Sequence, residues 1–314
     1  MVTRLSNSTN GEILLLEADL NTMVSKPEVD KTGEDHYVVI NGLRFHYVTW
    51  GNTDLPLMVC LHGLRGYART FDMIAHQFQD RFHVLALDQR GRGDTDWDPD
   101  RNYYTDQYVS DFEAFADTLN HERFHILGHS MGGANALMYA GRHPERVASL
   151  ILEDSGPGAA NIGSAGVERI FKELKSTPMS FATWDDAWAF WRKARPNVSE
   201  NAIASRVANS LREDDGAIVW KHDQAGITEC RINPAPGRGA PDLWPSVEAV
   251  QCPALIIRGG VSDYLSTATA QAVCERNDKF TMYEIPFAGH YVHDDNLDTF
   301  LDVIRPFLDQ NRMN

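Results

Sequence analysis

Short, continuous apolar runs organise most of this chain. Leu57-Met58-Val59-Cys60-Leu61, His83-Val84-Leu85-Ala86-Leu87, Phe124-His125-Ile126-Leu127, Val147 to Leu152 and Ala254-Leu255-Ile256-Ile257-Arg258 each have strand length and no regular polar face. A strand covered on both sides reads this way, as in a parallel sheet between layers of helices. Helical patterns separate the runs: Thr70 to Phe78, Thr105 to Leu119, a small-residue stretch from Gly133 to Ala140, and Thr267 to Glu275. The strand Phe280 to Ile285 and a helix from Leu297 to Leu308 close the chain. Strands alternating with helices predict an α/β fold with a mostly parallel central sheet and right-handed crossovers. At the front, His36 to Ile40 and Leu43 to Trp50 flank Asn41-Gly42, which marks a hairpin.

The alternation stops between about Gly156 and Val250. That stretch reads as helices over Gly166 to Lys175, Ser180 to Lys193 and Glu200 to Arg212. Phe181, Trp184, Trp188 and Trp191 recur at helical spacing, a stripe expected to pack this segment onto the main domain. Residues 1–34 are polar and weakly patterned, an N-terminal extension with a short helix around Ile13 to Met23.

Composition narrows the function classes. With 314 residues, 43% of them hydrophobic, the chain can bury a substantial core. A net charge of −15 argues against a nucleic-acid-binding surface. No run approaches the ~20 apolar residues of a membrane helix, and Ile13-Leu14-Leu15-Leu16 is too short, and too closely flanked by acids, for a signal peptide. A cytoplasmic location without membrane association is expected, and a homodimer is compatible with the sequence. Cys60, Cys230, Cys252 and Cys274 lie far apart without metal-ligand spacing, so free thiols are expected and no metal or cofactor is called for.

The chemistry centres on Gly128-His129-Ser130-Met131-Gly132. Between a strand and a helix, Gly-x-Ser-x-Gly forms a sharp elbow that exposes the serine oxygen. A serine nucleophile needs a base, and the base needs an anion to orient it. His290 follows the last strand in Phe287-Ala288-Gly289-His290 and is the expected base, with His293 its close competitor. Asp263 follows the strand before it and is the expected acid. Asp154, at the end of the strand after the elbow helix, is the alternative. Backbone donors for an oxyanion are expected at Met131, next to the serine, and at Leu64 in the loop His62-Gly63-Leu64-Arg65-Gly66.

Together Leu61-His62-Gly63, Asp88-Gln89-Arg90-Gly91-Arg92-Gly93-Asp94, the Ser130 elbow, Gly259 to Asp263 and Gly289-His290 resemble the α/β-hydrolase superfamily from about His36 onward. The resemblance implies a core domain of 35–155 and 251–314, with 156–250 as an inserted helical cap. It implies a structural role for Asp88 and Arg90. Relatives similar to haloalkane dehalogenases and epoxide hydrolases carry Asp at the elbow, so Ser130 argues against both activities. The expected activity is hydrolysis of a small carboxylic ester, one that bears a carboxylate if Arg65 binds it, through an acyl-enzyme. On a protein this acidic, a pairing of Arg65 with a local Asp or Glu is the favoured reading, with carboxylate binding the alternative. His129, Trp184 and Trp188 complete the candidate substrate contacts. A carbon–carbon bond hydrolase, a lactonase, and a ligand-binding receptor that keeps the triad remain the alternatives.

Overall fold

The computed structural model describes residues 26–29, 32–196 and 198–313. The helix expected around Ile13 to Met23 lies outside them. The described chain divides into two compact units.

The larger unit runs up to Met179 and resumes at Lys221. Its strands are β1 (Glu34–Ile40), β2 (Leu43–Trp50), β3 (Leu57–Leu61), β4 (His83–Leu87), β5 (Phe124–His129) and β6 (Val147–Glu153). The smaller unit, Ser180–Trp220, supplies β7 (Ser180–Phe181), β8 (Leu211–Asp214) and β9 (Ala217–Trp220). The larger unit then adds β10 (Ala254–Gly259) and β11 (Phe280–Ile285). Its eight strands lie in the order β1-β2-β4-β3-β5-β6-β10-β11. The β1–β2 and β2–β4 pairings are antiparallel and the others parallel. The Asn41-Gly42 turn joins β1 to β2 with both residues in the left-handed region, as a two-residue hairpin loop requires.

The helices are α1 (Asp72–Phe78), α2 (Thr105–Thr118), α3 (Met131–Arg142), α4 (Ala165–Ser176), α5 (Trp184–Ala194), α6 (Glu200–Ser210), α7 (Gln224–Ile232), α8 (Trp244–Ala249), α9 (Thr267–Arg276), α10 (Val292–Asp295) and α11 (Leu297–Gln310). Successive strand residues feed opposite layers, which is why the sequence shows no polar strand face. Val59, Leu61, Ile126, Leu150 and Ile256 pack with apolar side chains of α2, α3 and α9. Met58, Cys60, Leu127, Ile151 and Ile257 pack with those of α1 and α11.

The stretch 156–250 does not behave as one block. Its ends, with α4, α7 and α8, belong to the larger unit, and only Ser180–Trp220 stands apart. Two expected helices there are shorter than the pattern implied. Thr183 caps α5, accepting from the Asp186 amide at 3.2 Å while its own amide donates to the Asp186 carboxylate at 3.1 Å. Ser180–Phe181 is therefore a strand. The chain after α6 turns into the β8–β9 hairpin at Asp215-Gly216, both at positive φ. That Asp-Gly pair is a hairpin signal the helical pattern around it obscured. Trp184 and Trp188 pack with Phe181, Trp191, Ile203 and Trp220 in this unit's own core. The Trp184 indole donates to Glu213 at 2.8 Å. The aromatic stripe thus packs its own segment, and both rings are committed to it.

The loop after β4 fixes the larger unit. Arg90 grips both oxygens of Asp111 at 2.7 Å and reaches Asp98 at 2.5 Å. All three side chains are buried. Asp88 accepts from His46 at 2.6 Å and from the Ala68 and Asp94 amides. Removing Arg90 strands two buried carboxylates, which costs about 3–5 kcal/mol. Arg90→Ala is therefore expected to lose that much stability, read as a lower urea midpoint at unchanged slope.

Candidate active site

Sheet register brings the reactive side chains together. In the β5–β6 pair His129 lies opposite Glu153, so the next residues, Ser130 and Asp154, leave neighbouring strands at the same level. β6 also pairs with β10, and β10 with β11, so the loops bearing Asp263 and His290 open onto the same edge. Carboxyl ends of parallel strands are where an open α/β sheet gathers a site.

Ser130 sits at φ 53°, ψ −116°, a conformation few non-glycine residues adopt. The turn closes because Gly132 has no side chain: a Cβ there would lie 2.1 Å from the Leu61 carbonyl oxygen. α3 begins at Met131, so the amides of its first turn have no helical acceptor and face the serine oxygen's surroundings. Gly63 passes close beneath the serine, where an added Cβ would lie 3.3 Å from that of Ser130. Leu64 and Met131 line the cleft with Ser130. The His62 ring braces this loop, its Nδ1 donating to the Gly63 carbonyl at 2.8 Å and its Nε2 accepting from the Gln89 amide at 3.0 Å. Burial pushes the His62 pKa down to about 4, so the ring is neutral and can make both bonds.

His290 Nε2 lies 2.9 Å from Ser130 Oγ, and its Nδ1 lies 2.7 Å from Asp154 Oδ2. The partner of His290 is therefore Asp154, not the expected Asp263. Asp263 is held by Arg169 on α4, whose Nε and Nη2 donate to its two oxygens at 2.8 and 2.9 Å. That pairing lowers the Asp263 pKa and occupies both of its oxygens. Asp154 is wholly buried at φ 44°. It accepts from the Ser262 hydroxyl at 2.6 Å and from the Gly259 amide at 3.2 Å. Burial pushes its carboxyl up to about 7, while those two donors pull the other way.

His293, the competing base, is buried against Glu153 at 2.7 Å and does not face the serine. His129, expected at the substrate, is also buried. Its Nε2 donates to the His290 carbonyl at 2.8 Å, and burial lowers its pKa to about 4. It holds the histidine loop from below. Arg65 is neutralised by Glu173 and also donates to Thr177 at 3.2 Å, so it is not free for a ligand. Arg258, the other arginine near the acid loop, pairs with Glu284 at 2.7 Å and donates to the Leu265 carbonyl.

The sequence reading missed Tyr264. Its ring packs on His290 with centroids 4.4 Å apart, and it lines the cleft with Ser130. The signal was its place, next to the Asp263 that was singled out. Met131, Ile162, Val167, Ile170 and Phe171 give the cleft apolar surface, and Arg231 and Arg238 also line it. Among the described residues, His46, Asp88 and Asp94 offer ligand atoms within 4.8 Å of one another. His46 and Asp88 are hydrogen-bonded to each other and Asp94 is paired with Lys221, so they serve the scaffold. All four cysteines are free thiols.

Fold and site geometry define a hydrolase-type α/β protein with a serine at the elbow. A family model described as "alpha/beta hydrolase fold" matches residues 56–219, and the chain belongs to that family. It is 30% identical over 258 residues to the 3-hydroxybutyrate-oligomer hydrolase of Cupriavidus necator, covering 79% of this chain and 87% of that protein. It is 26% identical over 255 residues to the 2-(acetamidomethylene)succinate hydrolase of Mesorhizobium japonicum, covering 81% and 88% respectively. An α/β hydrolase of Novosphingobium aromaticivorans superposes with a TM-score of 0.76 at 29% identity, over 88% of this chain and 98% of that one. No helix among the described residues is long and apolar enough to cross a membrane.

The Asp154 pairing has a pH consequence. The carboxylate form orients His290, and it is lost as pH falls through about 7. The reactivity of Ser130 toward a fluorophosphonate should fall over the same range, as a property of the Asp154–His290 pair. Ser262→Ala removes a donor that favours the charged form, so this acid limb should move to higher pH. Asp154→Asn should slow labelling by about a hundredfold or more, by analogy with other triads, and Asp263→Asn by a few-fold at most. A larger loss in Asp263→Asn than in Asp154→Asn would reverse the assignment.

Proposed function

We propose that this protein is a serine hydrolase that cleaves a small carboxylic ester through an acyl-enzyme. The observation that supports it is the continuous line Ser130–His290–Asp154, at 2.9 and 2.7 Å, opening into an apolar cleft. In this reading Ser130 Oγ attacks the ester carbonyl as His290 Nε2 takes its proton. The Leu64 and Met131 amides hold the oxyanion that forms. Asp154 keeps the His290 Nδ1–H pointed away from the serine and stabilises the imidazolium. The tetrahedral intermediate collapses, and His290 returns the proton to the departing alkoxide. Water, deprotonated by His290, then attacks the acyl carbon; the second collapse releases the acid and restores the Ser130 hydroxyl.

Relatives named for hydrolysing a 3-hydroxybutyrate oligomer and an acetamidomethylene succinate support hydrolysis of small acid derivatives. An apolar lining with few polar groups suits a short acyl chain.

4-Nitrophenyl butyrate should be hydrolysed with a burst of nitrophenol followed by a slower steady state. Ser130→Ala should lower kcat by about 10³-fold or more and abolish fluorophosphonate labelling, as loss of a nucleophile does elsewhere. Normal turnover by Ser130→Ala would overturn the assignment. Absence of both labelling and turnover in the folded native protein would favour a receptor.

A further inference from the structure

We propose that Arg231 recognises a carboxylate at the far end of the substrate, so that the preferred ester is a monoester of a dicarboxylic acid. This rests on the ester-hydrolase reading and names its substrate class.

The cleft around Ser130 is lined by two arginines, Arg231 and Arg238, and by no Asp or Glu among the described residues. This is unexpected for a chain with a net charge of −15. The two arginines differ in what they touch. Arg238 is engaged: its Nη2 donates to Asn102 at 2.7 Å and to Asp106 at 3.0 Å, and its guanidinium lies over the Tyr104 ring at 4.3 Å. Arg231, in the last turn of α7, makes no ion pair with any described residue. The Nε of both arginines is buried with no acceptor, but only Arg238 has its Nη2 paired with an acid. The neighbouring acid, Glu229, accepts instead from Asn233 at 3.2 Å.

A buried guanidinium N–H without an acceptor is costly, and the cost is relieved when an anion arrives. The guanidinium fork matches a carboxylate in two parallel hydrogen bonds. Arg231 lines the same cleft as Ser130 and Tyr264, so a single substrate bound there meets both the serine and the guanidinium. The same lining holds apolar Met131, Val167 and Ile170. A short methylene chain with an ester at one end and a carboxylate at the other fits that lining. Arg65, the candidate from sequence, cannot serve because Glu173 holds it.

The test compares mono-4-nitrophenyl esters of succinic, glutaric and adipic acids with neutral 4-nitrophenyl esters of equal chain length. For at least one length, the native protein should show a tenfold or greater advantage in kcat/KM for the anionic ester. Arg231→Gln should erase that advantage, its loss on the anionic ester exceeding its loss on the neutral one by tenfold or more. Arg231→Lys, which keeps the charge but not the fork, should fall between. Equal losses on both ester types, or a native preference for the neutral ester at every length, would overturn the proposal. Binding separates this from failure of the hydrolase reading. In the Ser130→Ala background, calorimetry with the three monomethyl esters should show at least tenfold weaker binding when Arg231→Gln is added. Binding unchanged by Arg231→Gln overturns the carboxylate site even if the native protein hydrolyses neutral esters. Weakened binding supports the site even if it hydrolyses none.

Discussion

The whole site depends on a one-residue offset in a parallel strand pair. His129 and Glu153 face each other as the last residues of β5 and β6, and Ser130 and Asp154 follow them. Ser130 and Asp154 both leave the sheet at positive φ, which turns their side chains up from the strand ends. Backbone bonds fix the two turns: the Ser130 amide donates to the Glu153 carbonyl at 2.9 Å, and the Asp154 amide to that of Ile257 at 2.7 Å. The spacing between the two functional side chains is therefore a property of the ladder, and flexible loops have little part in it.

The remaining partners are held by buried polar groups that the reaction does not use. Glu153 carries its carboxylate under the site with no exposed surface. Burial alone would raise its pKa, but the nearby His293 and His129 rings and the hydrogen bonds from His293 bring it down to about 2. It accepts from the His293 amide and ring, and so pins the turn that follows His290. His129 reaches up to the His290 carbonyl from the elbow strand itself. His290 is thus fixed from below by residues next to both Ser130 and Asp154. A histidine held this way loses little entropy when it moves a proton between serine and substrate, because its orientation is already set.

The fold was largely readable because its signal is local. Strands covered on both faces leave continuous apolar runs, and Gly-x-Ser-x-Gly between a strand and a helix admits few other conformations. The acid was not readable for a physical reason. Asp154 and Asp263 both follow strands, and β6 and β10 are adjacent, so chain order and strand position allow either. Arg169 decides between them. It lies on α4, outside every motif, and engages Asp263 with two hydrogen bonds. The same kind of distant pairing removed Arg65 from the substrate, through Glu173 one turn further along the same helix. Local motifs say which residues can act; ion pairs between distant segments decide which of them are left to do so.

That logic also explains why an acidic protein keeps an unneutralised cation in its cleft. α4 brings Arg169 and Glu173 together at 2.8 Å, and these two side chains satisfy Asp263 and Arg65 on the loops beside the site. Asp106 and Asn102 take up Arg238. With the nearby charges matched in this way, Arg231 is left over, its Nε buried, on the wall that also carries Tyr264. The proposed ester hydrolysis needs no cation there, because in that reading backbone amides hold the oxyanion. A half-buried charge with an unsatisfied Nε, not required by the proposed bond-breaking step, fits a site for the charge of something else, which in the proposal above is the part of the substrate that does not react.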